Sequence, residues 1–123
     1  MKAIHYDTEG DILTVTFSEA NALSQRGIEL SDNIVLYYDA ATDEPLSLIL
    51  LSYQAMLRES AQHPILLDGL ERAPKPIQKR IQTILHRTPL TTFLEITDVA
   101  NGTATTSQLH EIFTPAALEF ITV

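Results

Sequence analysis

The chain has no cysteine among its 123 residues. This absence excludes disulfides, thiolate metal sites and cysteine nucleophiles together. It also fits a reducing compartment, so we expect a cytoplasmic protein. A chain of this length can bury roughly two-thirds of the surface that its unfolded form exposes, so it needs no metal or disulfide to fold. We therefore expect a single domain, residues 1–123, with no cofactor.

Long apolar runs are also lacking. The densest apolar stretch, Leu46 to Leu51, is about a third of the ~18 residues that a membrane span needs. The N-terminus, Met1 to Asp7, has no apolar run after Lys2 and so does not resemble a signal peptide. With 45% hydrophobic and 20% charged residues, the composition is that of an ordinary globular protein. We expect a soluble protein that does not bind membranes.

Basic residues are scarce: the chain has 8 Lys and Arg residues and 16 Asp and Glu residues, which give a net charge of −8. This balance argues against general nucleic-acid binding, which rewards clustered cations. Five of the eight basic residues lie between Arg72 and Arg87, where no acidic residue occurs. The rest of the chain, with 3 basic and 16 acidic residues, carries −13. We expect it to attract a protein with a basic surface.

The first half of the sequence has the pattern of β-strands. Residues 12–17 alternate, with Leu13, Val15 and Phe17 on one face, and the polar turn 7–11 joins them to a preceding strand. Four further segments complete an antiparallel meander of about five strands: 3–6, 25–30, 33–38 and 46–52.

The fourth and fifth predicted strands are apolar on both faces, although a two-layer domain covers only one face of its sheet. One solution is a two-fold homodimer. The other is that the second half of the chain covers one of the faces. The sequence favours the dimer, and the candidate interface comprises five neighbouring side chains: Leu46, Leu48, Ile49, Leu50 and Leu51.

The second half begins with helices. Residues 53–61 have helical spacing with Ser52 as the expected N-cap, and 65–72 are expected to form one or two turns. Residues 76–87 repeat apolar side chains at i, i+4, i+7 and i+8, which predicts an amphipathic helix that buries Ile77, Ile81, Ile84 and Leu85. Strand character returns at 91–97 and 103–113, around an Asn101-Gly102 turn. Residues 114–123 fit a helix or a strand. The predicted fold class is α+β.

Residues that could perform chemistry form no recognisable site. The carboxylates between Asp7 and Asp11 do not match a calcium loop, because Ile12 and Ser18 occupy the positions of its glycine and glutamate. They are typical of a solvated hairpin turn. The four histidines do not have zinc-helix spacing. His5 and Asp7 lie two residues apart on one face of a strand. The simpler interpretation is that this face is a polar outer surface. No nucleophile elbow or glycine-rich phosphate loop occurs.

The basic segment offers an alternative binding surface. Lys75, Lys79, Arg80 and Arg87 are expected outside the 76–87 helix, where cations can bind phosphate, RNA or an acidic partner. No aromatic residue is interleaved to stack on bases. The simpler interpretation is a solvated helix face.

Residues 3 to about 55 resemble a bacterial family known as domain of unknown function 2283. The family opens with a Tyr-Asp-x-Glu-x-Asp-x-Leu-Tyr-Ile pattern, which Tyr6, Asp7, Glu9 and Asp11 match. Its second signature, a strand ending in Tyr-Asp and then an aliphatic strand, is similar to 32–39 and 46–52 here. Thr14 replaces the usual tyrosine, the typical glycine near the aliphatic strand is absent, and 56–123 lie outside the resemblance.

The resemblance implies a small antiparallel sheet with no established catalytic residues, and some members resemble the neutralising partner in toxin–antitoxin pairs. Our expectation is a non-enzymatic protein-interaction domain, a homodimer with a basic protein partner. The first alternative is a small enzyme or ligand-binding protein with a pocket between the sheet and the 76–87 helix. The second alternative is RNA binding through that helix.

Overall fold

A computed structural model describes residues 3–18, 22–63, 65–98 and 104–109. It confirms the predicted α+β class: an antiparallel five-stranded sheet is followed by short helices and a second, three-stranded sheet. The strands of the first sheet are β1 (Ala3–Asp7), β2 (Ile12–Thr16), β3 (Gln25–Ser31), β4 (Ile34–Asp39) and β5 (Glu44–Leu51). Single 3₁₀ turns at Ala22–Ser24 and Leu90–Thr92 join other elements.

The order of the five strands differs from the simple meander expected from the sequence. The sheet runs β1-β2-β5-β4-β3, so the chain forms a hairpin, then a three-stranded meander whose last strand returns to pair with β2. This order puts β5 in the centre, where strands on both sides shield it. Its apolar residues suit that place, whereas β1 and β3, with polar residues such as His5 and Glu29, form the edges.

The second half of the chain supplies three helices and the small sheet. The helices are α1 (Tyr53–Ser60), α2 (Asp68–Glu71) and α3 (Lys75–Leu85). The small sheet has the order β6-β8-β7, with β6 at Ile65–Leu66, β7 at Leu94–Asp98 and β8 at Ala104–Leu109. None of the helices within the described ranges is long and apolar enough to cross a membrane.

The core lies between one face of the large sheet and these later elements. The alternating residues of β2, β4 and β5 point into it, as do side chains from all three helices. The predicted stripe of the third helix is confirmed, since Ile81, Ile84 and Leu85 are buried and Ile77 packs against the core at its edge. Met56 and Tyr53 of α1 are also buried.

The short helix α2 packs directly on the edge strand β3. A Cβ atom on Gly69 would lie 1.9 Å from the backbone oxygen of Glu29, so only glycine allows this approach. On either side of Gly69, Leu67 and Leu70 are 0% and 2% exposed. The helix therefore covers the end of β3, where Leu30 and Ser31 are buried, while residues 25–27 of the strand stay exposed.

Some boundaries differ from expectation. Residues 65–72 were expected to form one or two turns; they contain one helical turn, α2, but begin with β6, because Ile65 and Leu66 pair with Thr106 and Thr105 of β8. The strand predicted at 91–97 begins only at Leu94, after the 3₁₀ turn Leu90–Thr92, and corresponds to β7, and the strand predicted at 103–113 corresponds to β8. The Asn101-Gly102 turn, the end of the second strand beyond 109 and the segment 114–123 lie outside the described residues.

Candidate interaction surfaces

The carboxylate-rich turn between β1 and β2 contains a hydrogen-bond network that reaches α1. The Tyr6 hydroxyl donates to Asp11 Oδ1 at 2.6 Å and accepts a hydrogen bond from Gln54 Nε2 at 2.9 Å. The backbone N–H of Gln54 donates to both carboxylate oxygens of Asp11, at 3.1 and 3.2 Å. The backbone oxygen of Asp11 accepts the N–H of Tyr53 at 2.9 Å. The network therefore joins the hairpin to the first turn of α1.

Ser52 occupies the N-cap position that the sequence predicted, but the side chain that caps α1 belongs to Asp11. Ser52 precedes α1 but lies in the left-handed backbone region, with φ 50° and ψ 49°, and its side chain makes no capping hydrogen bond. The carboxylate of Asp11 accepts the free helical N–H instead. Its negative charge also favours the positive end of the helix dipole.

The other members of the motif have simpler roles. Asp7 Oδ1 accepts the backbone N–H of Glu9 at 3.1 Å within the exposed turn, as expected for a hairpin. Burial is the main cause that raises the pKa of Tyr6, and its hydrogen bond to Asp11 acts in the same direction. The phenol is thus held neutral as a donor. The motif acts as a structural connection, and its polar groups bind one another.

Among the described residues, histidines and carboxylates do not converge on a metal site. Within the described residues, no group of three or more His, Asp or Glu side chains is arranged to hold an ion. The ring Nδ1 of His86 lies 2.7 Å from the backbone oxygen of Gln82. His110 lies outside the described residues.

The layer between the sheet and α3 is apolar. Ile81 and Leu85 of α3 and Leu36 and Leu48 of the sheet have no exposed surface. Among the described residues, the buried side chains that carry polar groups are Ser31, Ser60, Tyr6, Tyr38 and Tyr53. A ligand pocket needs a few convergent polar groups, and the four side chains of this layer supply none. The pocket alternative gains no support from them.

The candidate dimer interface divides between the two faces of the sheet. Leu46, Leu48 and Leu50 are 4%, 0% and 2% exposed and belong to the core of a single chain, so their assignment to an interface was wrong. The sequence pattern shows that β5 is apolar on both faces, but it does not show which of the two faces is covered by the rest of the same chain. Ile49 and Leu51 point the other way and are only partly buried.

Three side chains outside the five candidate interface residues extend this outer face. Ile12, Val35 and Tyr37 share it with Ile49 and Leu51, all five are partly buried, and none belongs to the core cluster or packs against it. A Cβ atom on Gly27 would lie 2.8 Å from the ring of Tyr37, so this ring lies over the glycine of edge strand β3. Val35 and Tyr37 belong to the second apolar face that the alternation of the fourth strand predicted.

The cations of α3 are not equivalent. Lys75, Lys79 and Arg87 are exposed. Arg80 Nε instead pairs with Asp43 Oδ1 at 2.9 Å, and Arg80 Nη1 donates to the backbone oxygen of Ala40 at 3.4 Å. Arg80 therefore holds the β4–β5 loop against the helix, and its assignment as a free anion contact was wrong. RNA binding through the other three stays a prediction.

Comparison with known proteins finds no matching family model, no matching curated protein and no matching solved structure. The resemblance of residues 3–55 to the family of unknown function consequently stays a prediction.

Proposed function

We propose that the protein is a protein-interaction domain that works as a homodimer, with the outer faces of two five-stranded sheets packed together. The observation that carries the proposal is the apolar outer face centred on Ile49 and Leu51. Its apolar side chains lie on the three central strands, which, ~4.8 Å apart and with about five residues of ~3.3 Å each, cover roughly 240 Å². The largest apolar patch on a soluble protein is a few hundred Å² and is often functional. Thr14, Thr16 and Ser47 lie among these apolar side chains, and the edge strands are polar.

The cross-strand register makes a second copy of the chain a suitable occupant. One row across the outer face reads Glu29, Val35, Ile49, Thr14 and His5, with Ile49 of the central strand in the middle. A two-fold axis parallel to β5 would set the Ile49 side chains of the two copies against each other. It would also set Val35 of one copy against Thr14 of the other, and Glu29 of one against His5 of the other. The row can therefore pack against its own two-fold copy, with Ile49 at the axis and the polar ends of the row opposite each other.

The acidic charge of the chain supports a basic protein as a further partner. The net charge is −8, and the only cluster of basic residues lies between 72 and 87. A basic surface approaching the rest of the chain would be attracted at long range. The family resemblance, in which some members resemble antitoxins, suggests a basic toxin as one such partner.

Light scattering on matched variants tests the dimer. Wild-type protein at micromolar concentration should have twice the 13.7 kDa mass of one chain. Ile49→Asp should yield single chains, because an unpaired charge buried in the interface costs several kcal/mol. Leu23→Asp is the control, since Leu23 is 85% exposed and lies outside the sheet. A wild-type mass of one chain, or dissociation by the control alone, would contradict the proposal.

A further inference from the structure

A groove of about 190 Å³ lies where the β3–β4 turn, α1, β6 and the start of α2 meet. Its apolar part is formed by Met56, which is 3% exposed, and by Ile65, which packs against the core. Leu66 stands beside them with 56% of its surface exposed, one of two large hydrophobic side chains exposed to this degree among the described residues. Of the five apolar side chains of the outer face, none is among the described residues that line this groove.

The rim of the groove is acidic. Asp32, Glu59 and Asp68 line it, all three are exposed, and no Lys or Arg is among the described lining residues. The structure gives no ion pair between these carboxylates and a described Lys or Arg. The lining is more polar than apolar, since Ser31 and Asn33 also belong to it, and its apolar part lies at Met56, Ile65 and Leu66. A charged rim beside an apolar contact is common at protein-binding surfaces.

We propose that this groove binds a segment of a basic partner protein, with an aliphatic side chain on Leu66 and an adjacent Lys or Arg side chain between the carboxylates. Charge complementarity selects this occupant, because three negative charges would repel a nucleic-acid phosphate and favour a cationic side chain. The long apolar stem of Lys or Arg also suits a groove that is apolar below and charged above. The inference rests on the proposed function as an interaction domain, and it names the partner's chemistry.

NMR titration of ¹⁵N-labelled protein with short peptides tests the groove directly. The probe is acetyl-Gly-Leu-Arg-Gly-amide at low salt, and the control probe replaces Arg with Glu. We expect the Arg peptide to shift backbone amide signals around the groove, with a dissociation constant on the order of 1 mM for so small a ligand. The Glu peptide should bind at least roughly threefold more weakly, since its charge is reversed.

Matched pairs of variants distinguish binding in the groove from a general attraction between the peptide and an acidic protein. Asp32→Asn with Glu59→Gln removes two rim charges and should weaken Arg-peptide binding roughly threefold to tenfold. Glu9→Gln with Glu44→Gln removes the same charge from exposed positions elsewhere and should leave binding unchanged. Equal effects of the two pairs, equal binding of the two peptides, or shifts outside the groove would overturn the proposal. Binding should persist in Ile49→Asp, so failure of the dimer and failure of the groove are distinguishable.

Discussion

Gly69 is the position where the smallest substitution should have the largest effect on stability. In Gly69→Ala the new methyl group would lie 1.9 Å from the Glu29 backbone oxygen, whereas ordinary contact begins at 3.4 Å. Helix α2 and strand β3 would therefore have to separate by about 1.5 Å, the difference between these two distances. The clash is with backbone, so no side-chain rotation can relieve it.

The magnitude follows from what the separation exposes. Leu67 and Leu70 anchor α2 and are almost fully buried. Full exposure of both would cost ~3–6 kcal/mol, and overpacking that is partly relieved usually costs ~1–3 kcal/mol. We expect Gly69→Ala to lower the free energy of unfolding by roughly 2–4 kcal/mol, between these limits. Helix propensity alone predicts the opposite sign, a gain of up to ~1 kcal/mol.

Urea unfolding at a fixed protein concentration measures the effect. The midpoint should fall by roughly 1–3 M, because the slope for small proteins is ~1–3 kcal/mol per M. Gly10→Ala is the control: its nearest neighbour is Asp7 Oδ2 at 2.8 Å, the end of a side chain in an exposed turn, so we expect a cost below ~1 kcal/mol. A Gly69→Ala midpoint equal to or above the wild-type value would refute the close packing of α2 on β3.

Three further predictions concern the hairpin network and α3. Asp11→Ala should lower the free energy of unfolding by ~1–2 kcal/mol, because it removes the acceptor for the Tyr6 hydroxyl and for the first turn of α1. Ile81→Ala should cost ~2–5 kcal/mol by leaving a core cavity, whereas Lys79→Ala should change stability by less than ~0.5 kcal/mol. The pKa of Tyr6 is raised above its ordinary value of 10.0, so its stabilising contribution is complete below that pH. This contribution to stability is lost as the pH rises through the raised pKa of Tyr6. Tyr6→Phe should therefore lose less stability at alkaline pH than the wild type.

For each of these substitutions, one experimental result would contradict the expected role of the residue. A stability of Asp11→Ala equal to wild type in urea would remove the capping role. A larger loss in Lys79→Ala than in Ile81→Ala would reverse the assigned faces of α3. Identical alkaline loss of stability in wild type and Tyr6→Phe would show that the phenol does not contribute.

Local patterns in the sequence predicted the elements well. The alternation that puts Leu13, Val15 and Phe17 on one face of β2 is confirmed, since all three are buried. The apolar stripe of α3 is also confirmed. Apolar side chains that repeat with the period of a helix and pack against one core identify both the element and its buried face.

Features that depend on distant parts of the chain could not be predicted. The pairing of β2 with β5 joins segments about 35 residues apart, and no local pattern specifies it. Asp11 caps a helix that begins 42 residues later, at Tyr53, so a search for caps beside the helix finds only Ser52. The two-sided apolar pattern of β5 indicated an extra contact, but only the fold shows that Leu48 faces the core and Ile49 faces outward.

The proposed dimer requires that the outer face of the sheet meets its own copy near a two-fold axis along β5. Cross-linking tests this arrangement directly. Because the chain has no cysteine, Ile49→Cys introduces a single thiol close to the proposed axis. Packed sheets lie ~10 Å apart, a distance that a short bismaleimide spans. We predict a covalent dimer of Ile49→Cys on a denaturing gel, while Leu66→Cys, exposed beside the helices, remains a single chain. Equal cross-linking of the two variants, or none of Ile49→Cys at micromolar concentration, would contradict the dimer.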